Sequence, residues 1–455
     1  MARNNTDMLN GPLGGKIIKY ALPLALTGIL QQLFNAADVA VVGRFCGKEA
    51  MAAVGGNAPV IGLLVNLFVG ISLGSNVMIA RSVGQGKREN VAKAVHTSVI
   101  VALIGGLLIL AAGEIFVSDI VRVLGVPEDA AAMSEKYLRI YLLGMPVILL
   151  YNFEAAIFRS CGNTKTPLLA LSVSGVANVL LNVFFVVELG MDADGVSAAT
   201  VLSNLISSLV LFIALTRTEQ DIRLDLKKLR IDVPMLREIM KIGIPAGIQG
   251  MIFSFANIVI QSAVNSLGTT VVAASSAAFN LEVFAYYVMN SFGQACTTFV
   301  GQNYGAGKND RCIRTLKLCI MQSFFLTASV CILIFIFGRQ LLSIFNKDPD
   351  VIAAGYIRLT YIFIAYLFSF CLEVLSGYLR GFGISFVTAL CSVVGICGVR
   401  LLWIFTVFER SRDYATIMMV YPVSLCFNTL TILAVLLIIR PSKKMCLADE
   451  PEKQA

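Results

Sequence analysis

Residues 242–281 read IGIPAGIQGMIFSFANIVIQSAVNSLGTTVVAASSAAFNL, a run that contains no Asp, Glu, Lys or Arg. About 20 apolar residues are enough to cross a bilayer as a helix, so this run is too long for one span. Residues 265–268, Asn-Ser-Leu-Gly, have the composition of a turn. The stretch therefore predicts two membrane-spanning helices that are joined at this turn.

The remainder of the chain has the same apolar character. Hydrophobic residues make up 57% of the 455 residues and charged residues 14%, and the mean hydropathy is +0.80. Soluble domains carry about 25% charged residues, so the composition indicates an integral membrane protein. We predict an all-α fold with twelve transmembrane helices, at residues 17–43, 54–80, 95–118, 134–157, 167–188, 195–216, 240–265, 274–300, 312–338, 353–378, 384–408 and 414–439.

The two halves of the chain repeat one another. KYALP at 19–23 matches KIGIP at 241–245, and GQGKRE at 84–89 matches GAGKND at 305–310. Each half then holds six spans in the same order, which predicts two six-helix lobes related by a pseudo-two-fold axis along the membrane normal. The predicted domains are an N-lobe, a connector, a C-lobe and a tail, at residues 1–216, 217–239, 240–440 and 441–455.

The positions of the basic residues predict the orientation. With a cytoplasmic N-terminus, the inner segments hold 25 Lys and Arg and the outer segments hold 10. The positive-inside rule therefore places both termini and the connector in the cytoplasm. The net charge of +8 then lies beside anionic lipid and requires no nucleic acid partner. We interpret the connector as a solvated linker followed by an amphipathic surface helix.

Cysteine and histidine usage argues against an enzyme. The eleven cysteines include no C-x-x-C pair, and His96 is the only histidine, so neither a metal cluster nor a Ser-His pair is available. GISLG at 70–74 matches the G-x-S-x-G esterase pattern, but inside an apolar helix we interpret the match as chance. We expect no cofactor, and no metal other than Na⁺ at Asp38.

Asp38 interrupts the apolar first span, in FNAADVAVVGR at 34–44. An ionised carboxylate in mid-helix costs about 2.5–3.5 kcal/mol on insertion scales, so it usually faces a cavity or a partner. A low dielectric favours a neutral acid and a nearby cation favours the anion, so one carboxylate can exchange a proton, Na⁺ or a cationic group. Gln31, Asn35 and Asp38 share one face of the helix with Phe34. The alternative is a structural Asp in a wet cavity.

Other polar residues occur at membrane depth. Asn178 and Asn182 lie four apart on span 5, and Thr200 on span 6 and Asn152 on span 4 offer further oxygens. Asn257 is the repeat partner of Asn35, at the same offset that relates KYALP to KIGIP. We assign Asn152, Asn257 and Glu154 to the polar cavity with Gln31 and Asn35. For Glu154, a coupling role and snorkelling toward the inner face are both open.

The second half carries three charged residues deep in its spans. These are Glu282 on span 8, Glu373 on span 10 and Arg400 on span 11. We predict that Arg400 pairs with one or both acids in a polar network inside the C-lobe. A structural ion pair and a role in handling substrate or protons are both open.

Four segments at matching places in the two halves resemble the multidrug and toxic compound extrusion (MATE) family. They are VGQGKRENV after span 2, FRSCGNTKTP after span 4, VGQNYGAGKND after span 8 and YLRGFG after span 10. The resemblance covers about residues 16–440. It implies two six-helix lobes, a V-shaped cavity, and efflux of organic cations driven by re-entry of Na⁺ or H⁺.

The resemblance also implies a cation site in the first lobe. Matched residue by residue, that site comprises Asp38, Asn178, Asn182 and Thr200. Where many relatives have a second acid at the later position on helix 5, this chain has Asn182, which leaves the preferred ion open. The Glu that one branch of the family carries in span 7 has no counterpart in residues 242–281.

Together these observations predict a secondary antiporter that exports organic cations and drugs by alternating access in exchange for H⁺ or Na⁺. We expect small organic cations as substrates, and a monomer in the bacterial inner membrane. A lipid-linked oligosaccharide flippase of the same superfamily is one alternative, which would need a cavity rich in Arg and Lys. A membrane-embedded enzyme is the other, and the single histidine argues against it.

Overall fold

The computed structural model describes residues 5–124, 126 and 128–442, and this part of the chain is built from helices. Helices satisfy every backbone hydrogen bond internally, as a bilayer requires. The helix Lys165–Glu188 ends in a π-helical turn, Phe184–Glu188. The first half contains α1 (Gly14–Phe45), α2 (Gly47–Gly84), α3 (Arg88–Val123), α4 (Glu128–Leu143), α5 (Met145–Ser160), α6 (Lys165–Glu188) and α7 (Ala193–Arg217).

The second half repeats this order of long helices. The helix Ser385–Ser411 contains two π-helical turns, Val393–Gly398 and Ile404–Phe408. These turns are wider than α-helical turns. The bounds are α8 (Val233–Asn265), α9 (Thr269–Gly305), α10 (Asn309–Ile336), α11 (Gly338–Phe345), α12 (Pro349–Gly381), α13 (Ser385–Ser411) and α14 (Tyr414–Ile439).

Eleven helices in the described ranges are long and apolar enough to cross a membrane, and α4 and α5 meet the same criteria together as a bent pair. The bend is 47° and falls at Gly144, immediately before α5. Pro146 lies in the first turn of α5, where its missing N–H interrupts the hydrogen-bond ladder. This pair occupies the predicted span at 134–157, and the predicted all-α membrane fold is confirmed.

The chain folds into two compact units. Unit 1 comprises residues up to Thr6 together with Leu26–Gly247, and unit 2 comprises Asp7–Ala25 and the chain from Ile248 onward. Helices α1 and α8 are therefore each shared between the two units. The sequence-based lobes at 1–216 and 240–440 follow chain order, so they do not include this exchange.

The starts of α1 and α8, which each pack in the unit formed mainly by the other half of the chain, bury side chains at equivalent positions of the repeat. At the start of α8, Met235, Ile239, Ile242 and Ala246 are buried in unit 1. The residues at the corresponding positions of the first repeat are buried in unit 2, namely Leu13, Ile17, Tyr20 and Leu24. The same face of each helix is thus covered in both halves, which is the pattern expected of a duplicated fold.

Helices α2 and α8 approach closely in unit 1 through two G-x-x-x-G pairs. A Cβ built on Gly70 would lie 2.1 Å from the Gly247 amide nitrogen, and one on Gly74 would lie 2.3 Å from the Ile239 carbonyl oxygen. A Cβ built on Gly243 would lie 2.7 Å from the Ile71 Cα. The glycines of GISLG, Gly70 and Gly74, thus serve backbone-to-backbone helix packing.

Two glycines follow the ends of the repeat-related helices α2 and α9. Gly86 follows α2 with φ +67° and Gly307 follows α9 with φ +68°. The next residues, Lys87 and Lys308, donate their amides back to the Ser82 and Asn303 carbonyls, which is the Schellman arrangement. Both motifs therefore terminate their helices in the same way.

The connector is held more firmly than the sequence predicts. Ile222 and Leu224 are buried in the core of unit 1. His96 Nε2 accepts from the Asp225 amide at 3.1 Å, and Thr97 Oγ1 accepts from the Asp232 amide at 3.0 Å. The predicted separate surface helix is wrong, because α8 runs without a break from Val233 into the membrane-spanning segment.

Candidate functional site

A polar site surrounds Asp38 inside unit 1. Asn182 Nδ2 donates to Asp38 Oδ1 at 2.5 Å, and Thr200 Oγ1 donates to Asp38 Oδ2 at 3.3 Å. Asn182 Nδ2 also contacts Asn178 Oδ1 at 3.3 Å. The structure therefore brings together the four residues predicted for the cation site, from helices α1, α6 and α7.

The apolar side chain next to Asp38 explains how α1 meets α6. The ring of Phe34 packs directly over Gly175, at a distance where a Cβ on that glycine would lie 1.8 Å from the ring. Gly175, Asn178 and Asn182 are spaced three and four apart, so they lie on one face of α6. On this face of α6, Gly175 accommodates the ring of Phe34, and the amides of Asn178 and Asn182 lie toward Asp38 on the same face of α1.

The site is rich in oxygen atoms and surrounded by apolar helices. Asn178 and Asn182 are buried, and Asp38 is half-buried. Asn182 Oδ1 accepts no hydrogen bond from the residues that the structure describes. Carboxylate, hydroxyl and amide oxygens are the ligands that hard cations prefer. The site therefore contains oxygen atoms of the kind that a hard cation would need.

Two tyrosines that the sequence reasoning missed lie close to Asp38. Tyr137 and Tyr141 of α4 both interact electrostatically with the Asp38 carboxylate. Their rings stack with centroids 6.3 Å apart. They are four residues apart in KYLRIY, so helical spacing shows that they share a face, but it does not show which helix they face. The two rings are thus an aromatic pair in the neighbourhood of the carboxylate.

The other polar residues predicted for the first half form no hydrogen bond with this carboxylate among the described residues. Asn152 donates to its own helix, at the Ile148 carbonyl. Gln31 and Asn35 are exposed on α1. Glu154 is 0% exposed and accepts from Ser208 at 2.9 Å, so snorkelling to the surface is wrong for this residue. Its buried position leaves a coupling role open.

In unit 2 the buried ion pair is Glu282 with Arg358. Arg358 donates from Nε and Nη2 to the two carboxylate oxygens at 2.9 and 2.6 Å, and from Nη1 to Ser275 at 2.6 Å. Both charged side chains are 6% exposed. The sequence reasoning missed Arg358, because hydropathy placed it near the outer end of a span whose helix begins at Pro349.

The predicted pairing of Arg400 with Glu282 or Glu373 is corrected by the structure. Among the described residues Arg400 forms no ion pair; it donates from Nη1 to Asn257 at 2.7 Å and from Nε to Ser424 at 3.3 Å. Glu282 is already neutralised by Arg358. Glu373 instead interacts with Asn290 and Arg380.

Within the described ranges no three His, Cys, Asp or Glu side chains converge on a point that could hold a metal ion. The oxygen set around Asp38 contains a single carboxylate, so a cation there would rely on neutral oxygens as well.

Comparison with known proteins reproduces the internal repeat. The sequence model of the MatE family matches residues 23–184 and again residues 245–406. The second range is displaced from the first by the same amount at both ends, and that displacement also relates KYALP to KIGIP. Together the two ranges cover well over half of the chain.

Individual relatives are transporters. The probable multidrug resistance protein YoeA of Bacillus subtilis is 28% identical over 391 residues, which cover 84% of each chain. The FAD transporter of Shewanella oneidensis is 25% identical over 358 residues, which cover 77% of this chain and 78% of that protein. The crystal structure of MATE in complex with MaL6 shares the fold, with a TM-score of 0.90 at 20% identity over 97% of this chain and 99% of that one. The chain therefore belongs to the MatE family of multi-pass membrane transporters.

Proposed function

We propose that this transporter is a secondary antiporter that exports organic cations and drugs in exchange for H⁺ or Na⁺. The observation that carries the proposal is the Asp38 site, where one carboxylate meets two buried amides and a hydroxyl. Bound cation and bound substrate compete for the same charge, because either one satisfies the carboxylate. Alternating access then couples the two flows.

The membrane potential supplies the driving force. Each positive charge that moves inward gains about 2.3 kcal/mol per 100 mV. An exchange that brings in a proton or Na⁺ can therefore sustain a substantial outward gradient of substrate. We infer a bacterial inner-membrane location with both termini in the cytoplasm, on the basis of the Lys and Arg distribution.

The structure supports an aromatic, cationic substrate class for the first unit. The stacked rings of Tyr137 and Tyr141 lie beside the Asp38 charge. Ring faces attract organic cations, and the carboxylate supplies the opposite charge. YoeA carries the description probable multidrug resistance protein, which agrees with a broad range of such substrates.

The two alternatives have weaker support. A flippase for lipid-linked oligosaccharides needs several basic side chains to hold pyrophosphate, whereas Asp38 accepts hydrogen bonds from an amide and a hydroxyl. In unit 2, Arg358 is neutralised by Glu282, and Arg400 by itself does not make a cavity rich in basic side chains. A membrane-embedded enzyme needs a nucleophile with a base or a metal cluster, and the only histidine, His96, is bonded to the connector.

Transport by the purified protein in liposomes tests the proposal. A fluorescent organic cation is supplied outside, and an imposed pH gradient or Na⁺ gradient is directed out of the lumen. We expect dye to accumulate in the lumen under one of the two gradients and to leak out when an ionophore collapses it. Dye movement that is the same with and without both gradients would contradict the proposed antiport.

A further inference from the structure

A second charged site in unit 2 has the opposite polarity to the Asp38 site. Arg400 is only 1% exposed and has no carboxylate partner among the described residues. The rings of Tyr421 and Phe253 cover its guanidinium, with centroids 4.7 and 5.2 Å from Cζ. A buried charge without a counter-ion is costly, so such a residue calls for a functional explanation.

The two sites are built from the same helices of each repeat. Asp38 lies among α1, α6 and α7, and Arg400 of α13 lies between α8 and α14. Asn35 and Asn257 occupy equivalent positions of the repeat. Asn178 and Arg400 each precede the end of a family match by the same distance along the chain. Arg400 therefore occupies in unit 2 the repeat position that Asn178, an amide of the Asp38 site, occupies in unit 1.

Hydrogen-bond donors remain available at this second site. Arg400 uses Nη1 and Nε within the protein, while Nη2 donates to none of the described residues. Asn257 accepts through Oδ1, which leaves its amide nitrogen next to the guanidinium without a described acceptor. Asn257, Phe253 and Tyr421 are each partly exposed. Two adjacent donors, one of them charged, match the two oxygens of a carboxylate.

We propose that Arg400 and Asn257 bind the carboxylate of an aromatic substrate, with Tyr421 and Phe253 in contact with its ring system. The transporter then accepts zwitterionic and carboxylate-bearing drugs as well as simple cations, and the carboxylate is recognised in unit 2. This inference rests on the proposed drug-export function and adds a substrate class to it.

A purely structural role for Arg400 makes a different prediction. In that case the two ring faces and two hydrogen bonds are sufficient for the guanidinium, and substitutions change stability without changing which substrates bind. Substrate discrimination therefore separates the two roles, whereas loss of folding or of total activity does not.

The test compares two forms of one dye on the purified full chain in lipid nanodiscs. One is a rhodamine with a free benzoic acid, and the other is the methyl ester of the same rhodamine. Binding is measured by fluorescence anisotropy in chloride-free buffer, so that no inorganic anion competes for the guanidinium. Three variants are compared with the wild type: Arg400→Gln removes the charge, Asn257→Asp supplies an internal carboxylate, and Gln261→Glu adds the same charge one turn further along α8.

Loss of a hydrogen bond to a buried charged group costs about tenfold or more in affinity. We expect the preference for the acid over the ester to fall by about that factor in Arg400→Gln and Asn257→Asp, and to be unchanged in Gln261→Glu. Gln261 is an exposed residue bonded to Asn265, so it is a matched control.

Asn257→Asp retains the arginine and gives it a partner, so it remains informative if Arg400→Gln does not fold. An unchanged acid-to-ester preference in a folded Asn257→Asp protein would overturn the inference. Wild-type binding of the ester without the acid would overturn it too, while the proposed export of cations would stand. If neither dye bound the wild type, the proposed drug specificity would fall together with this site.

Discussion

Asp38 and Glu282 show two ways in which this protein holds a carboxylate among apolar helices. Asp38 accepts hydrogen bonds from an amide and a hydroxyl, neither of which carries a charge, and the proposed antiport uses the remaining negative charge for a mobile cation. Glu282 is matched by the fork of Arg358, and the pair is closed to exchange. The neighbours of each acid, rather than its depth in the helix, therefore decide whether it can carry an ion.

The Glu282–Arg358 pair yields a prediction of stability at the residue scale. Glu282→Gln leaves Arg358 buried without a counter-charge, and such a change costs about 3–5 kcal/mol. We expect a loss of that size in the free energy of unfolding, measured by reversible unfolding in mixed micelles. The double variant Glu282→Gln with Arg358→Met removes both charges and should recover much of it.

An exposed ion pair provides the control for this measurement. Asp119 and Arg122 are bonded at 3.0 Å on the surface of α3, where such a pair contributes about 0–1 kcal/mol. Asp119→Asn should therefore change the stability little. Equal losses in Glu282→Gln and Asp119→Asn would show that burial does not decide the strength of the buried pair.

Sequence spacing could predict part of the first site. Gln31, Asn35 and Asp38 fall on one helical face, and a polar face in lipid points inward. The partners of Asp38 came from the family resemblance, because no spacing relates α1 to α6. Arg358 was missed because hydropathy marks where a span becomes apolar, whereas α12 begins several residues earlier at Pro349.

At the scale of the helix, close packing is set by glycine rather than by polar contacts. The crossing of α2 with α8 in unit 1 brings Gly70 against Gly247 at backbone distance. Without a hydrophobic driving force between helices in lipid, such surfaces depend on close van der Waals fit. The sequence shows both G-x-x-x-G pairs. It does not show that they pack against each other, because this contact depends on the start of α8 belonging to unit 1.

The glycine crossing predicts a sharp contrast along a single helix. In Gly70→Ala the added methyl would lie 2.1 Å from the Gly247 nitrogen, so the helices must separate, and we expect a loss of about 1–3 kcal/mol or more. Gly62→Ala, also on α2, has no atom within 4 Å of its new methyl and should stabilise by about 0.5–1 kcal/mol. Thermal unfolding of both variants in detergent decides the matter. A similar effect at the two positions would refute the close crossing.

At the scale of the whole molecule, the repeat was visible in the sequence but the exchange between units was not. Motifs that recur at a nearly constant offset establish that the halves correspond. They do not show that the starts of α1 and α8 pack in the other unit. The apolar face of each helix start would be buried in either unit, so the sequence pattern is the same in both cases. That assignment depends on contacts between distant parts of the chain.

Orientation in the membrane is the whole-molecule prediction that remains to be measured. Glu219 lies in the connector and Arg410 lies near the end of α13, and both are exposed. On intact cells, an impermeant maleimide should label Arg410→Cys and not Glu219→Cys, with the wild type as the background. Labelling of Glu219→Cys from outside would reverse the proposed topology and the direction of transport.

The central claim is that Asp38 couples the ion gradient to export, and the most direct test compares Asp38→Asn with the wild type in liposomes. Dye accumulation is followed under an imposed pH or Na⁺ gradient, and dye exchange is followed without a gradient. Asn keeps the size of the side chain and removes its charge, so we expect a folded protein whose gradient-driven accumulation is lost. Accumulation in Asp38→Asn at the wild-type rate would contradict the account.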